Sequence, residues 1–133
     1  MAYHTTNHAK RLNLAHRILV CKQRKKLLIS FGDAIKSILC EIAGANRIHI
    51  LEMEVGKVHI HLLIDDPPTK SLTQIVSLFK QDTTYSMWRI DNIRRYLQRC
   101  FWKEHTFWSD GTFACSIGNA NPETIRQYIQ NQG

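Results

Sequence analysis

The fold is decided by one seven-residue stretch, Val58-His59-Ile60-His61-Leu62-Leu63-Ile64. It is short, mostly aliphatic and typical of a strand, in which successive side chains point to opposite faces of a sheet. His59 and His61 then share one face, and Ile60 points to the other. Such a strand buries its aliphatic face and presents two imidazoles on the opposite one. Since imidazole is the commonest metal ligand in proteins, the stretch predicts a clamp for a divalent metal.

The His-x-His pattern is weak when it stands alone. The chain has seven histidines in 133 residues, and about one chain in three of that composition would carry the pattern by chance. A second group of functional residues elsewhere in the sequence is therefore needed before the pair indicates a site.

The neighbouring segments predict a hairpin around this strand. Ile48 to Val55 has the pattern of another strand, and Gly56-Lys57 is a tight turn between the two. Further upstream, Leu12 to Cys21 alternates as a strand does. Between these elements, apolar residues recur at helical spacing from Ile35 to Ile42, with Gly44 as the expected helix stop.

Downstream of the histidines, the sequence predicts a helix, a strand and a final helix. Ser71-Leu72-Thr73-Gln74 has the form of a capping box that opens a helix. Residues 90–110 are compatible with a short basic helix followed by an aromatic-rich connection. Thr112 to Ile117 reads as a fourth strand, and Asn121-Pro122 places a helix N-cap and a preorganised first turn before the last segment.

The order of these elements predicts the fold class. It is α+β: a ferredoxin-like βαββαβ antiparallel sheet with helices on one face, plus a C-terminal helix. We expect one domain over residues 1–133. With helices on one face only, the side carrying His59 and His61 is predicted to be open to a ligand or a second subunit.

Composition excludes several classes of protein. No apolar run approaches the ~20 residues that a membrane span needs, and Met1 to Lys10 has no signal-peptide core. The four cysteines lie far apart and form no Cys-x-x-Cys pair, which argues against a zinc scaffold or a disulfide framework. A cytoplasmic protein is the expectation.

The net charge of +7 points to a polyanionic partner, because the positive residues cluster. One cluster follows the first strand, and a second runs from Arg89 to Lys103 among aromatic residues. Cations beside rings on which bases can stack are what single-stranded nucleic acid requires. The predicted DNA-binding residues are Lys22, Arg24, Lys25, Lys26, Arg94 and Arg95.

The last helix supplies candidates for the missing half of the site. Tyr128 and Gln132 are four residues apart and share a helix face. A tyrosine hydroxyl can attack phosphorus and form a covalent phosphotyrosine, and a nearby metal would polarise the scissile phosphate. Gln132 can lend an oxygen as a third ligand beside His59 and His61, a donor set that suits manganese and tolerates magnesium.

A plain packing role for Tyr128 stays open at this point. Ile125, Tyr128 and Ile129 form a stripe of the kind that anchors a helix to a core. The chain has three other tyrosines, at positions 3, 85 and 96. Of the four, Tyr128 is distinguished by a possible metal ligand one turn later on the same face.

Several short motifs together resemble those of the single-tyrosine HUH transposases of the smallest bacterial and archaeal insertion sequences, the IS200-like family. The resemblance spans nearly the whole chain, and the order and separation of the motifs match as well. The matching stretches are Val58-His59-Ile60-His61-Leu62-Leu63, Phe107-Trp108-Ser109-Asp110-Gly111-Thr112-Phe113, Gly118, and Tyr128-Ile129-Gln130-Asn131-Gln132.

The resemblance implies a specific chemistry. His59 and His61 would bind a divalent metal, magnesium or manganese, and Gln132 would complete the site. Tyr128 would be the nucleophile that nicks single-stranded DNA at element ends and becomes linked to the 5′ phosphate before the strands are rejoined. Members of that family recognise DNA hairpins and act as homodimers, in which the tyrosine helix can serve the histidines of the other subunit.

This chain departs from the family pattern at two places. Gly56-Lys57 stands where the family often has an acidic residue before the histidines. The basic segment Cys21 to Lys26 lacks the proline and tyrosine that relatives usually carry there, and it resembles the family segment only in its positive charge.

Two other functions remain compatible with the sequence. A domesticated relative or a replication nickase would use the same residues on palindromic DNA. A non-catalytic ferredoxin-like module would bind single strands through aromatic residues on its central strands. Such aromatic residues are absent from Ile48–Val55 and Val58–Ile64, which argues against the module.

Overall fold

The computed structural model describes residues 14–65 and 71–110, and the backbone of 113–118. Within these ranges the chain forms four strands, three α-helices and one 3-10 turn at Lys22–Arg24. In chain order the strands and helices are β1 (Leu14–Val20), α1 (Leu27–Ala45), β2 (His49–Val55), β3 (His59–Asp65), α2 (Leu72–Trp88), α3 (Asp91–Phe101) and β4 (Phe113–Gly118).

The strands form one antiparallel sheet in the order β2-β3-β1-β4. The order of strands and helices is βαββαβ with α3 added after α2, so the predicted ferredoxin-like α+β fold is confirmed. β3 lies in the interior of the sheet. His61 stands opposite Ile18 of β1 on one side and opposite Glu54 of β2 on the other.

Helix α1 is longer than the periodic segment that predicted it. It begins at Leu27, directly after the basic segment, and ends at Ala45. The prediction that Gly44 stops the helix is wrong, because the Asn46 side chain donates to the Ile42 carbonyl oxygen at 2.8 Å and caps the last turn. Arg47, with φ 57°, then takes the left-handed conformation that often follows a helix.

The predicted capping box opens α2. The Ser71 hydroxyl accepts from the Gln74 backbone N–H at 3.1 Å, and the Ser71 backbone N–H donates to Gln74 Oε1 at 2.9 Å. The two bonds satisfy amides that have no partner within a helix. The helix then buries Ile75, Val76 and Phe79 against the sheet and α1.

Helix α3 is the short basic helix predicted within residues 90–110. It buries Ile93, Leu97 and Phe101, which are four residues apart and so lie on one face. The aromatic connection that follows is held in place by Trp108, whose indole N–H donates to the buried Thr83 hydroxyl at 2.8 Å.

The two faces of β3 are both buried. Ile60, Leu62 and Ile64 face the helices and have no exposed surface. On the other face Leu63 is fully buried and His61 is 3% exposed. The prediction of an open face is therefore wrong for His61, which packs against a side chain of β1, whereas His59 remains half-buried.

Some predicted features lie outside the described residues. These are the start of the first strand at Leu12 and the helix after Asn121-Pro122, with Tyr128 and Gln132. Across the part of the chain that the structure describes, none of the helices combines the length and the apolar character needed to cross a membrane.

Candidate functional site

The predicted histidine pair lies at the beginning of β3, the interior strand. His59 and His61 share a face, and their rings meet edge to face with centroids 4.8 Å apart. Val20 at the end of β1 is paired with His59, so the site lies where β1 ends and β3 begins.

A third histidine, His16 of β1, completes the cluster and was missed by the sequence analysis. Its Nε2 lies 3.0 Å from Nδ1 of His61, and the two rings stack with centroids 5.2 Å apart and planes inclined by 19°. A signal for it was present in the sequence, because His16 is the polar member of the alternating series Leu14, His16, Ile18 and Val20. That series faces the histidine side of the sheet.

Burial keeps the three imidazoles neutral near pH 7. Burial first, and then the positive charges that His59 and His16 would carry, together lower the pKa of His61 to about 4. Burial, followed by the charge of Arg17, lowers the pKa of His16. Burial and the charge of Arg24 do the same to His59. Neutral imidazole is the form that binds a metal.

His61 carries a buried ring nitrogen that fits a metal ligand. Its Nε2 is shielded from solvent and has no hydrogen-bond partner among the described residues. A buried polar atom without a partner is costly, so such atoms are rare. Residues 14–65 and 71–110 contain no group of three His, Cys, Asp or Glu side chains arranged to hold a metal. A metal here therefore needs a further ligand, and Gln132 lies outside the described residues.

Gly56 fits closely beneath His59. Its N–H donates to the His59 carbonyl oxygen at 2.8 Å, and a Cβ at this position would come within 3.2 Å of His59 Nε2. The glycine thus leaves the space that this ring occupies.

The first basic segment is joined to the strand that carries the histidines. The N–H of Cys21 donates to the Val58 carbonyl oxygen at 2.8 Å, and Arg24 is close enough to His59 to lower its pKa. A cavity of about 680 Å³ beside His59 is lined by Lys26 and Lys57 among apolar residues. Positive charge therefore surrounds the half-buried histidine.

The first basic segment also meets the C-terminal end of α3. Lys22 forms an ion pair with Glu104 at 3.8 Å, and the Lys25 amine lies 6.0 Å from the centroid of the Phe101 ring. The two basic clusters that the sequence separates by some seventy residues therefore form one surface, which we call the basic surface. It includes Lys22 to Lys26 and the end of α3.

The predicted DNA-contacting residues of α3 differ in their surroundings. Arg94 is held by Asp91 at 3.0 Å, whereas Arg95 is exposed. At the end of the helix Trp102 is 78% exposed, with the Lys103 amine 5.4 Å from its ring centroid. An exposed indole beside a cation is a platform on which a base can stack.

Comparison with known proteins gives one family. The family model described as "Transposase IS200 like" matches residues 10–132. The ISDra2 transposase TnpA of Deinococcus radiodurans is 25% identical over 118 residues, which cover 88% of this chain and 81% of the relative. The transposase of insertion sequence element IS200 from Salmonella typhimurium is 26% identical over 120 residues, covering 88% and 74%.

Solved structures share the fold. A crystal structure described as that of a transposase from Deinococcus radiodurans R1 superposes with a TM-score of 0.71 at 23% identity, over 98% of each chain. A tyrosine transposase associated with REP sequences, solved bound to a REP hairpin, superposes with a TM-score of 0.61 at 13% identity. It is matched over 97% of this chain and 68% of its own.

Proposed function

Because this chain belongs to the IS200-like transposase family, we propose that it nicks and rejoins single-stranded DNA at insertion-sequence ends with Tyr128 as nucleophile. His59, His61 and Gln132 would hold a divalent metal, Mg²⁺ or Mn²⁺. The observation that carries the proposal is the shielded Nε2 of His61 beside His59, which has no hydrogen-bond partner within the part of the chain that the structure describes.

The chemistry follows from the two groups of residues. The Tyr128 hydroxyl attacks the scissile phosphorus and loses its proton. A Tyr–O–P bond forms, the bond to the 3′ oxygen breaks, and that oxygen leaves as a 3′ hydroxyl after taking up a proton. A bound divalent metal would supply charge neutralisation at the phosphate. Because the phosphotyrosine keeps the energy of the broken diester, another 3′ hydroxyl can attack it and restore Tyr128 without ATP.

The histidine side chains contribute orientation and charge state. Burial keeps the imidazoles neutral, so they do not repel a cation. Their place on an interior strand fixes the separation of the two rings before any ligand arrives. Preorganised donors of this kind favour the transition state because little reorganisation is needed during the reaction.

The basic surface is proposed to bind the DNA backbone. It includes Arg24 and Lys26, which lie near His59. Lys22 and Lys25 of the same segment, and Arg94 and Arg95 of α3, would extend the contact. Hairpin ends are the proposed substrate, a proposal supported by the REP-hairpin-bound relative. A homodimer acting in the cytoplasm completes the proposal, and a domesticated relative acting on chromosomal palindromes would differ in substrate alone.

The decisive experiment is trapping of the covalent adduct. The protein is incubated with Mn²⁺ and single-stranded oligonucleotides that tile the genomic flanks of its own gene, and the products are run on a denaturing gel. Oligonucleotides labelled at the 3′ end should give a slowly migrating protein adduct. Those labelled at the 5′ end should give a shortened free fragment, because the protein retains the 5′ phosphate.

Tyr128→Phe should bind the same DNA but form no adduct, whereas Tyr85→Phe, which alters an exposed tyrosine of α2, should retain it. An adduct formed by Tyr128→Phe would show that the nucleophile is a different residue.

His59→Ala, or EDTA, should abolish cleavage and leave DNA binding intact. Undiminished cleavage in EDTA would contradict the metal assignment.

If the unsubstituted protein binds these oligonucleotides and cleaves none of them, the non-catalytic binding module becomes the better description. A set of hairpin-containing and hairpin-free oligonucleotides from the same flanks separates the two possible binding preferences.

A further inference from the structure

The hydrogen bond between His16 and His61 can run in either direction, and the distance between the two nitrogens does not show which ring donates. One of the two nitrogens, His16 Nε2 or His61 Nδ1, must carry the proton, since they lie 3.0 Å apart. Both rings are buried, and a neutral imidazole has one N–H and one lone pair. The position of the shared proton therefore decides the state of the remaining nitrogen, His61 Nε2.

Two arrangements are possible. If His16 donates, the proton of His61 resides on Nε2, and a shielded N–H is left without a described partner. If His61 Nδ1–H donates to His16, the Nε2 of His61 presents a bare lone pair on the side away from His16. Only the second arrangement leaves His61 with a ring nitrogen that can bind a metal.

We infer that His16 is a positioning residue of the metal site, which accepts the Nδ1–H of His61 and so turns the lone pair of His61 Nε2 toward the metal. The inference rests on the proposed function, and it assigns His16 a role that the histidine pair of β3 does not include. Ligating histidines commonly donate their second ring N–H to a fixed acceptor in this way.

The geometry gives His16 the rigidity that this role requires. Both rings are 3% exposed, and they stack nearly parallel with centroids 5.2 Å apart. His16 and His61 come from adjacent strands whose register pairs His16 with Leu63 and Ile18 with His61. The acceptor is thus held by the sheet itself and does not depend on a loop.

The test begins with metal-free protein labelled with ¹⁵N in its histidines. Long-range ¹H–¹⁵N spectra at pH 7.5 report which ring nitrogen carries the proton, and the His61 signals are identified by their loss in His61→Gln. We expect His61 to be protonated at Nδ1 and His16 also at Nδ1. Protonation of His61 at Nε2 would overturn the inference.

Three variants then separate positioning from packing through Mn²⁺ affinity, measured by calorimetry. His16→Leu fills the space without an acceptor and should weaken binding about 10- to 100-fold. His16→Gln offers an amide oxygen to the His61 N–H and should recover most of that loss. His49→Gln, at an exposed position of β2, is the control and should bind as the unsubstituted protein does.

The outcomes distinguish this inference from the proposed function. If the unsubstituted protein binds no Mn²⁺, both the metal site and the role of His16 fail. If it binds Mn²⁺ and His16→Leu binds as tightly, only the role of His16 fails. Thermal unfolding of each variant, followed by circular dichroism, ensures that the affinities compare folded proteins.

Discussion

On the helix side of β3, Ile60, Leu62 and Ile64 are fully buried among apolar side chains of α1 and α2. On the other side, His61 is almost as buried but packs against a second imidazole and keeps one nitrogen without a described partner. Equal burial thus has opposite consequences on the two faces. The helix side supplies stability, whereas the histidine side buries a polar atom at the expense of stability.

The largest effect is expected on the helix side. Leu62→Ala removes a fully buried side chain and leaves a cavity, so the free energy of unfolding should fall by about 2–5 kcal/mol. Urea denaturation measures the loss. Where the variant is folded, its Mn²⁺ affinity should match that of the unsubstituted protein. If the free energy of unfolding fell by less than about 1 kcal/mol, the helix side of β3 would not be the main source of stability.

The histidine side should make stability depend on pH. The unfolded chain takes up protons near pH 6.5, but burial lowers the pKa of His16 and brings that of His61 to about 4. Between these pKa values the unfolded state binds more protons than the folded state. The contribution of the two histidines to the free energy of unfolding is therefore fully present above pH 6.5 and declines as the pH falls toward 4.

The double variant His16→Leu/His61→Leu removes both groups and should flatten this decline. His49→Gln should retain it. The measurement is the free energy of unfolding in urea at intervals from pH 4 to 7.5. An equally steep decline in the double variant would assign the pH dependence to other residues.

The smallest effect on stability is expected at Gly56. In Gly56→Ala the new Cβ would lie 3.2 Å from His59 Nε2, and the half-buried ring can move by a few tenths of an ångström. Stability should change by about 1 kcal/mol or less, while Mn²⁺ affinity falls several-fold because the ring is displaced. Gly44→Ala, where a Cβ meets nothing within 4 Å, is the matched control. Equal Mn²⁺ affinities in the two variants would contradict a role for Gly56 in placing His59.

The sequence was sufficient for the fold because its local signals are strong. The capping box at Ser71 and the hairpin around Gly56-Lys57 gave elements of the correct type and order. The end of α1 was placed wrongly, since Gly44 is a familiar stop but the side chain of Asn46 caps the helix instead. Local patterns report local preferences, and a competing cap two residues away is hard to weigh without the backbone.

The candidate site was predicted in part. Alternation within β3 placed His59 and His61 on one face, but the contact with His16 depends on the pairing of β1 with β3 across 45 residues. No periodic pattern contains that register. Likewise, the two basic clusters lie together through a long-range contact, the ion pair of Lys22 with Glu104, which local sequence patterns do not report. The roles of Tyr128 and Gln132 remain predictions.

The interior position of β3 determines which unfolding event can separate the imidazoles of His59 and His61. The strand is hydrogen-bonded on both sides, to β1 from His59 to Asp65 and to β2 over most of the same length. In hydrogen exchange, we therefore expect its amides to belong to the cooperative unit that opens last, with a protection close to that of global unfolding. Fraying at the sheet edges leaves this unit intact. Separation of the two imidazoles and collapse of the sheet are therefore a single event.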